Sequence, residues 1–229
     1  MTSRRIKEFP AKYTGSIVEK FRDLVDKYGA DGDYILDPMA GVGGIHKLYE
    51  ICTTRVRTCG IELEQEWADC HPNTEQGSCL ELPHNYRGDD WDWIIVSPPY
   101  GNRMADSHTP GPNDKSYRNT YRHRLGRPLS EDSGAGLQWG GRYREFHTEA
   151  WVEAYRVLKP GGFFVLNIKD HIRKGERQHV TGWHIQALME IGFIPKEYLR
   201  VDVTGNGFGT NGNVRIDYEA VVMFVKPQQ

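Results

Sequence analysis

The sequence has no surplus of either charge. Twenty-nine lysines and arginines stand against 31 aspartates and glutamates, a formal net charge of −2 over 229 residues. A global electrostatic pull toward nucleic acid is therefore excluded, and any such attraction must be local. No apolar run approaches the roughly 18–20 residues that a membrane-spanning helix needs. The start, Met1-Thr2-Ser3-Arg4-Arg5, lacks the apolar core of a secretion signal. Together these absences lead to the expectation of a soluble, cytoplasmic protein with no membrane partner. Cysteine is scarce as well: four residues, at 52, 59, 70 and 79, with no C-x-x-C pair. A disulfide scaffold is excluded, and the spacings, Cys70-His71 included, fit no common zinc site. Metal is not expected. Internal repeats and low-complexity tracts are absent too, which excludes solenoid and collagenous architectures.

What is present is an alternation of helical periodicity with short β-rich runs. Ser16 to Tyr28 reads as a helix with Ile17, Phe21, Leu24 and Val25 on one face. Asp33–Asp37 reads as a buried strand, Val42–Ile51 as a helix, Val56–Ile61 as a strand and Glu64–Asp69 as a helix. A weak strand is expected near Gly77–Leu80 and a strong one over Trp91–Ser97. Further on come a helix over Phe146–Leu158, a turn at Lys159-Pro160-Gly161-Gly162, and a strand over Phe163–Lys169. A helix over Val180–Ile191 precedes two strands, Ile194–Val203 and Val214–Val225. Such alternation implies a mainly parallel sheet covered on both faces, closed by an antiparallel hairpin. The chain is read as a single domain, 1–229. Within it, polar, glycine-rich residues 101–145 form an insertion or loop, the first place to look for substrate contacts.

Asp37-Pro38-Met39-Ala40-Gly41-Val42-Gly43-Gly44 follows the first strand and opens a helix. Glycines there let the backbone turn sharply and approach a ligand, and a helix start offers free N–H groups. The pattern is not G-x-G-x-x-G, so a dinucleotide reading is weak. The second strand ends in Glu62, about 25 residues beyond Asp37 and close to the roughly 20-residue interval at which a carboxylate meets ribose hydroxyls. Asp37 by itself reads equally as a capping carboxylate. Together these residues call for an adenosine-containing cofactor.

Ser97-Pro98-Pro99-Tyr100 ends the central strand at the edge where open α/β sheets bind ligands. Two prolines stop a strand but do not account for the flanking serine and tyrosine. Basic and aromatic residues interleave further on: Lys115, Tyr117, Arg118, Tyr121, Arg122, His123, Arg124 and Arg127, extended by Arg142, Tyr143 and Arg144. This is the expected nucleic-acid surface, cations meeting phosphates and aromatics meeting bases. Asn206, Phe208 and Asn211 lie in a connection read either as a hairpin tip or as base contacts. Asn167, Lys169 and Asp170 are assigned to the target-base pocket or, for Asp170, to capping the next helix.

Asp37–Gly44, Glu62 and Ser97–Tyr100, in that order, resemble the S-adenosylmethionine-dependent amino-methyltransferases that modify cytosine or adenine in DNA. Lys159–Gly162 is similar to the turn these enzymes place before their fifth strand, and Tyr218–Phe224 to their last strand. Phe9-Pro10-Ala11-Lys12-Tyr13 resembles the segment that contacts the methionine part of the cofactor. The resemblance implies a Rossmann-like class I methyltransferase fold, a mostly parallel seven-stranded sheet with an antiparallel terminal hairpin and helices on both faces. It implies Ser97, Pro98, Pro99 and Tyr100 as catalytic residues. The target of such an enzyme, an exocyclic aromatic amine, is a poor nucleophile because its lone pair is delocalised into the ring; the resemblance gives the Ser97 hydroxyl and the Pro98 carbonyl its two N–H bonds to accept, and Tyr100 the ring to stack on. It further implies Ala11, Tyr13, Asp37, Pro38, Ala40, Gly41, Gly43, Glu62 and Ser78 at the cofactor, and DNA as partner. Ser78 stands where many relatives carry an acidic residue for the adenine amino group. Serine at position 97 tilts the resemblance toward cytosine N4 over adenine N6. Methylation of RNA guanine or protein glutamine, and a non-catalytic cofactor-binding subunit, remain alternatives. A homodimer or a companion restriction enzyme is left open.

Overall fold

A computed structural model of the chain describes residues 13–85, 90–105, 120–203 and 216–228. Among these the elements run α1 (Gly15–Tyr28), β1 (Tyr34–Asp37), α2 (Leu48–Ile51), β2 (Arg57–Glu62), α3 (Gln65–Ala68) and β3 (Thr74–Gln76). Next come β4 (Trp91–Val96), α4 (Tyr121–Leu125), α5 (Gly141–Val157) and β5 (Leu158–Ile168). The small hairpin β6 (His171–Arg173) and β7 (Glu176–Gln178) follows, then α6 (Val180–Ile191), β8 (Ile194–Asp202) and β9 (Tyr218–Val225).

Seven strands form one sheet in the order β3-β2-β1-β4-β5-β9-β8. The first five are mutually parallel, and β9 runs antiparallel to both β5 and β8. The fold is a Rossmann-like α/β sheet, mostly parallel with an antiparallel terminal pair, as expected. Its near-continuous apolar strands follow from burial on both faces. Trp93 and Ile95 of β4 turn to one side, where they meet Ile17, Phe21 and Val25 of α1. Ile94 and Val96 turn to the other, where they meet Trp151 of α5 and Leu188 of α6. Each such fully buried large side chain stabilises by about 1.5–3 kcal/mol, so substitution by a charge on either face is not tolerated.

Several boundaries move. The helix expected over Val42–Ile51 begins later, with a 3-10 turn at Gly44–Lys47 before α2. Gly41 and Gly43 hold φ of 54° and 79°, a left-handed backbone that delays the helix. The weak strand expected near Gly77–Leu80 lies earlier, as β3, where Thr74 pairs with Gly60. His46 secures that pairing by bridging Thr58 and Thr74, each at 2.9 Å. Strand β5 starts at Leu158 and takes in the expected Lys159–Gly162 turn, because Gly161 N–H and Gly162 C=O bond to Lys226. Helix α5 starts at Gly141 rather than Phe146, drawing five residues out of the expected loop.

Candidate active site

In chain order the sheet is built outward from β1 to β3, then resumes on the other side with β4 and β5. The reversal lies between β1 and β4, and ligands of open α/β sheets bind at the carboxyl ends of such a pair. The loops leaving these two strands are Asp37–Gly44 and Ser97–Tyr100, so the topology alone brings the two motifs together. Between them lies a cavity of about 510 Å³, within the ~300–1,000 Å³ span of small-molecule sites. Of the residues expected at the cofactor, Tyr13, Pro38, Ala40, Gly43, Glu62 and Ser78 line it; Ser97 and Pro99 line the same space.

Asp37 lies just beneath, fully buried. Its carboxylate accepts from Tyr13 Oη at 2.7 Å and from the Met39 N–H at 3.0 Å. This ties the segment before α1 to the end of β1. Glu62 accepts from the Gly41 N–H and the Glu64 N–H, both at 2.9 Å. One carboxylate thus holds the glycine turn and the start of α3 in register. The residues present fit an adenosine-containing cofactor: an acidic group, Glu62, stands on the wall, and the turn that lines the cavity carries glycine at 43 and 44. A Cβ on Gly44 would come within 2.7 Å of the Tyr13 ring, and one on Gly43 within 2.7 Å of His71. Ala11 and Lys12 lie outside the described residues.

Burial raises both carboxylates, Asp37 to about 7 and Glu62 to about 7; the Tyr13 hydroxyl and the Met39 N–H at Asp37, and backbone N–H bonds at Glu62, offset the rise only in part. A raised carboxyl stabilises the fold most fully below its unfolded value, and this contribution is lost as pH rises through about 7. Ligand binding takes the opposite sign. For a ribose held at Glu62, whose hydroxyls are donors, the ionised carboxylate is the better acceptor, and binding would release a proton wherever the free site holds one. Cofactor affinity is therefore expected to rise with pH up to about 7 and level off above it, approaching tenfold per pH unit on the acid side. Calorimetry in two buffers of different ionisation enthalpy checks this; a pH-independent dissociation constant with no proton release rejects it.

The far side of the cavity is closed by chain from the expected loop. Asp132, Ser133, Gly134 and Ala135 line it. Glu64, 1% exposed, accepts from the Ser130 N–H at 2.8 Å and from Ser130 Oγ at 3.1 Å. Arg127 forks onto Glu66 at 2.8 and 2.6 Å and reaches Glu64 at 2.8 Å. These contacts strap residues 127–130 to the start of α3. They also revise two expectations for the nucleic-acid surface. Arg127 is engaged by two carboxylates of its own chain, and Tyr121, 6% exposed, packs edge-on against Trp67 and lines the cavity. Arg122 is exposed and Arg124 half-buried on α4. Lys115, Tyr117, Arg118 and the Asn206–Asn211 connection lie outside the described residues.

Tyr143 departs furthest from expectation. It is fully buried, and its hydroxyl lies 2.7 Å from the Pro99 carbonyl and 2.9 Å from His184 Nε2. Trp151 Nε1 donates to His184 Nδ1 at 3.0 Å, so the neutral ring carries its proton on Nε2 and donates to Tyr143. Tyr143 in turn donates to Pro99. Burial holds His184 well below its usual value, which keeps the ring in this state. The chain Trp151–His184–Tyr143–Pro99 thereby sets the direction of the peptide in the Ser97–Tyr100 corner. Arg142 and Arg144, flanking Tyr143, are exposed.

Pro98 is buried and Tyr100 half-buried, its ring packed against the core and its hydroxyl turned toward Ser97, Asn167 and Glu219. Asp170 accepts from the Thr181 N–H at 2.8 Å and from Arg177 Nε at 2.8 Å. Of its two expected roles it fills the cap at the start of α6.

Residues 91–229 match the family model of a DNA methylase. No curated protein matches the chain. Among solved structures it is similar to TrmN from Thermus thermophilus, at 14% identity over 93% of this chain and a TM-score of 0.51. This chain spans 50% of the length of that one. It is also similar to a SAM-dependent methyltransferase from Methanosarcina mazei, at 12% identity over 96% of this chain and 100% of that one, TM-score 0.55. A third is an S-adenosylmethionine-dependent methyltransferase from Clostridium acetobutylicum, at 11% identity over 93% and 91%, TM-score 0.53.

Proposed function

The chain belongs to a DNA methylase family, and from that premise we propose that it transfers a methyl group to the exocyclic amine of a DNA base, cytosine N4 before adenine N6. The cofactor is S-adenosylmethionine, which when bound supplies a methyl group on a cationic sulfonium. The observation that carries the reading is that Ser97 and Pro99 share one cavity with Glu62 and the glycine turn. A group held at Glu62 and an amine held at Ser97 therefore face the same space, and positioning supplies most of the rate when the electrophile is already charged.

In this reading Glu62 takes the ribose hydroxyls, Ser78 stands near the adenine, and Tyr13 and Asp37 shape the end of the cavity beside the methionine part. Ser97 Oγ and the Pro98 carbonyl accept the two amine protons, which turns the nitrogen lone pair out of the ring. Tyr100 supports the ring of the base. A base in duplex DNA must leave the stack at a cost of a few kcal/mol, and an aromatic support returns roughly 1–3 kcal/mol. Exposed Arg122, with Arg124, Arg142 and Arg144, supplies local positive charge for phosphates. The chain 1–229 acts as one catalytic domain.

Incubation with methyl-labelled S-adenosylmethionine and unmodified DNA, followed by nucleoside mass analysis, tests the proposal. N4-methylcytosine is expected. N6-methyladenine reassigns the base, and the absence of any methylated nucleoside from DNA rejects the reading.

A further inference from the structure

Four polar side chains meet at the Ser97–Tyr100 corner, two from the loop that leaves β4 and one each from β5 and β9. Ser97 Oγ lies 3.1 Å from Tyr100 Oη, and Tyr100 Oη donates to Glu219 Oε2 at 3.2 Å. Asn167 Nδ2 stands 3.1 Å from each of these three oxygens. Asn167 sits near the end of β5 and Glu219 near the start of β9. The antiparallel pairing of these strands places both at the edge of the sheet where β4 delivers the corner. Ser97 and Glu219 lie 122 positions apart in sequence.

The directions of these bonds are determined by chemistry. A carboxylate only accepts, so the single Tyr100 proton points at Glu219. Tyr100 Oη is then an acceptor toward Ser97, and the Ser97 proton points at Tyr100. The Asn167 amide faces Glu219 with its nitrogen, because its oxygen would meet a carboxylate oxygen. Every proton in the cluster is thus directed away from the cavity that Ser97 lines, and a Ser97 lone pair is left for an incoming amine. Asn167 Oδ1 is buried and has no hydrogen-bond partner among the described residues.

We propose that Ser97, Tyr100 and Glu219 form a proton relay in which Glu219, at the start of β9, receives the proton that the target amine loses. This rests on the amino-methyltransferase reading above. The nitrogen lone pair forms the new N–CH3 bond while the carbon–sulfur bond breaks, leaving a cationic nitrogen with one proton in excess. That proton passes to Ser97 Oγ as the Ser97 proton passes to Tyr100 Oη and the Tyr100 proton to Glu219 Oε2. The charges on nitrogen and carboxylate cancel together, and neither hydroxyl carries a net charge at the end. Glu219 is half-buried, so it returns the proton to water. Asn167 is a positioning residue, holding the three oxygens within reach of one another.

Glu219→Gln and Glu219→Asp, compared with Tyr100→Phe, test the relay. In the chain without cofactor, NMR of ring-labelled tyrosine reads the Tyr100 phenol directly. Its titration is held well above the ordinary range by burial first and by the Glu219 charge second, with Ser97 opposing; Tyr121 and Tyr13 are its other ionisable neighbours. Glu219→Gln is expected to lower that titration. In single turnovers on DNA at saturating cofactor it is expected to slow transfer about 10²-fold with cofactor affinity unchanged. Glu219→Asp is expected to recover part of the rate, and the double variant with Tyr100→Phe to be no slower than Tyr100→Phe alone. An unmoved Tyr100 titration overturns the cluster itself. A lowered titration with a parental transfer rate, or rate losses that multiply in the double variant, overturns the relay. If the parent chain methylates no DNA base, the proposed function falls and the relay with it, an outcome visible before any variant is made.

Discussion

Ser97→Ala is expected to slow methyl transfer by about 10²- to 10³-fold, the loss that follows removal of one fixed hydrogen bond to a reacting group. The reason is geometric. The Ser97 hydroxyl is held from behind by Asn167 and Tyr100, each at 3.1 Å, so its remaining lone pair points in a fixed direction. Alanine removes that acceptor and leaves Tyr100 and Asn167 without the oxygen they share. Removing Oγ leaves Glu62 and the glycine turn as they are, so the dissociation constant of the cofactor is expected to stay within about twofold, less than about 0.5 kcal/mol. Single-turnover rates alongside calorimetric cofactor binding separate the two. A variant that transfers methyl groups within about threefold of the parent, a difference under 1 kcal/mol, removes Ser97 from the chemistry.

Glu62→Gln is expected to act on the other half of the site, weakening cofactor binding at least about 10²-fold. The carboxylate accepts from two backbone N–H groups and lines the cavity. An amide has one oxygen for these two donors, and its NH2 must face a backbone N–H. Each charge-assisted hydrogen bond lost costs about 1.5–3 kcal/mol, and about 3 kcal/mol corresponds to roughly 10²-fold in affinity. Part of the loss comes from displacement of Gly41, whose left-handed φ of 54° shapes the turn. Thermal unfolding of the variant is the necessary companion measurement. Binding that weakens 10²-fold while the fold persists assigns the effect to the ligand; unchanged binding rejects the ribose contact.

Much of this site lies in the linear sequence because its parts are local. Asp37–Gly44 and Ser97–Tyr100 are contiguous, each at the end of a strand whose apolar run identifies it. The proline pair stops the strand at its own position, and Gly41 and Gly43 mark where the backbone turns left-handed. The helix over Val180–Ile191 is another local feature, closed by Gly192 at φ 117°.

The residues that surprise are those whose roles depend on partners far away in sequence. Tyr143 lies between Arg142 and Arg144 and reads as part of a basic surface, yet it faces inward to His184, 41 residues on. Helical periodicity explains the difference: once α5 starts at Gly141, position 143 shares a face with His147, Ala150, Trp151 and Ala154, all buried. A later helix start hides that face. Arg127 resembles a phosphate contact until Glu66, 61 residues earlier, is placed beside it. Glu219 carries no signal at all beyond its strand.

Hydrophobic period and turn chemistry act over a few residues, and they suffice to place the alternation of strands and helices, the apolar two-sidedness of β4, the two loop motifs and the carboxylate between them. Which charged and aromatic side chains face the cavity, and which are spent on one another, is settled once strands and helices are assembled. Those choices depend on long-range pairing, as when the antiparallel register of β5 and β9 brings Asn167 and Glu219 behind Ser97. A carboxylate or a tyrosine is chemically the same residue in either place, and burial and partner decide what it does.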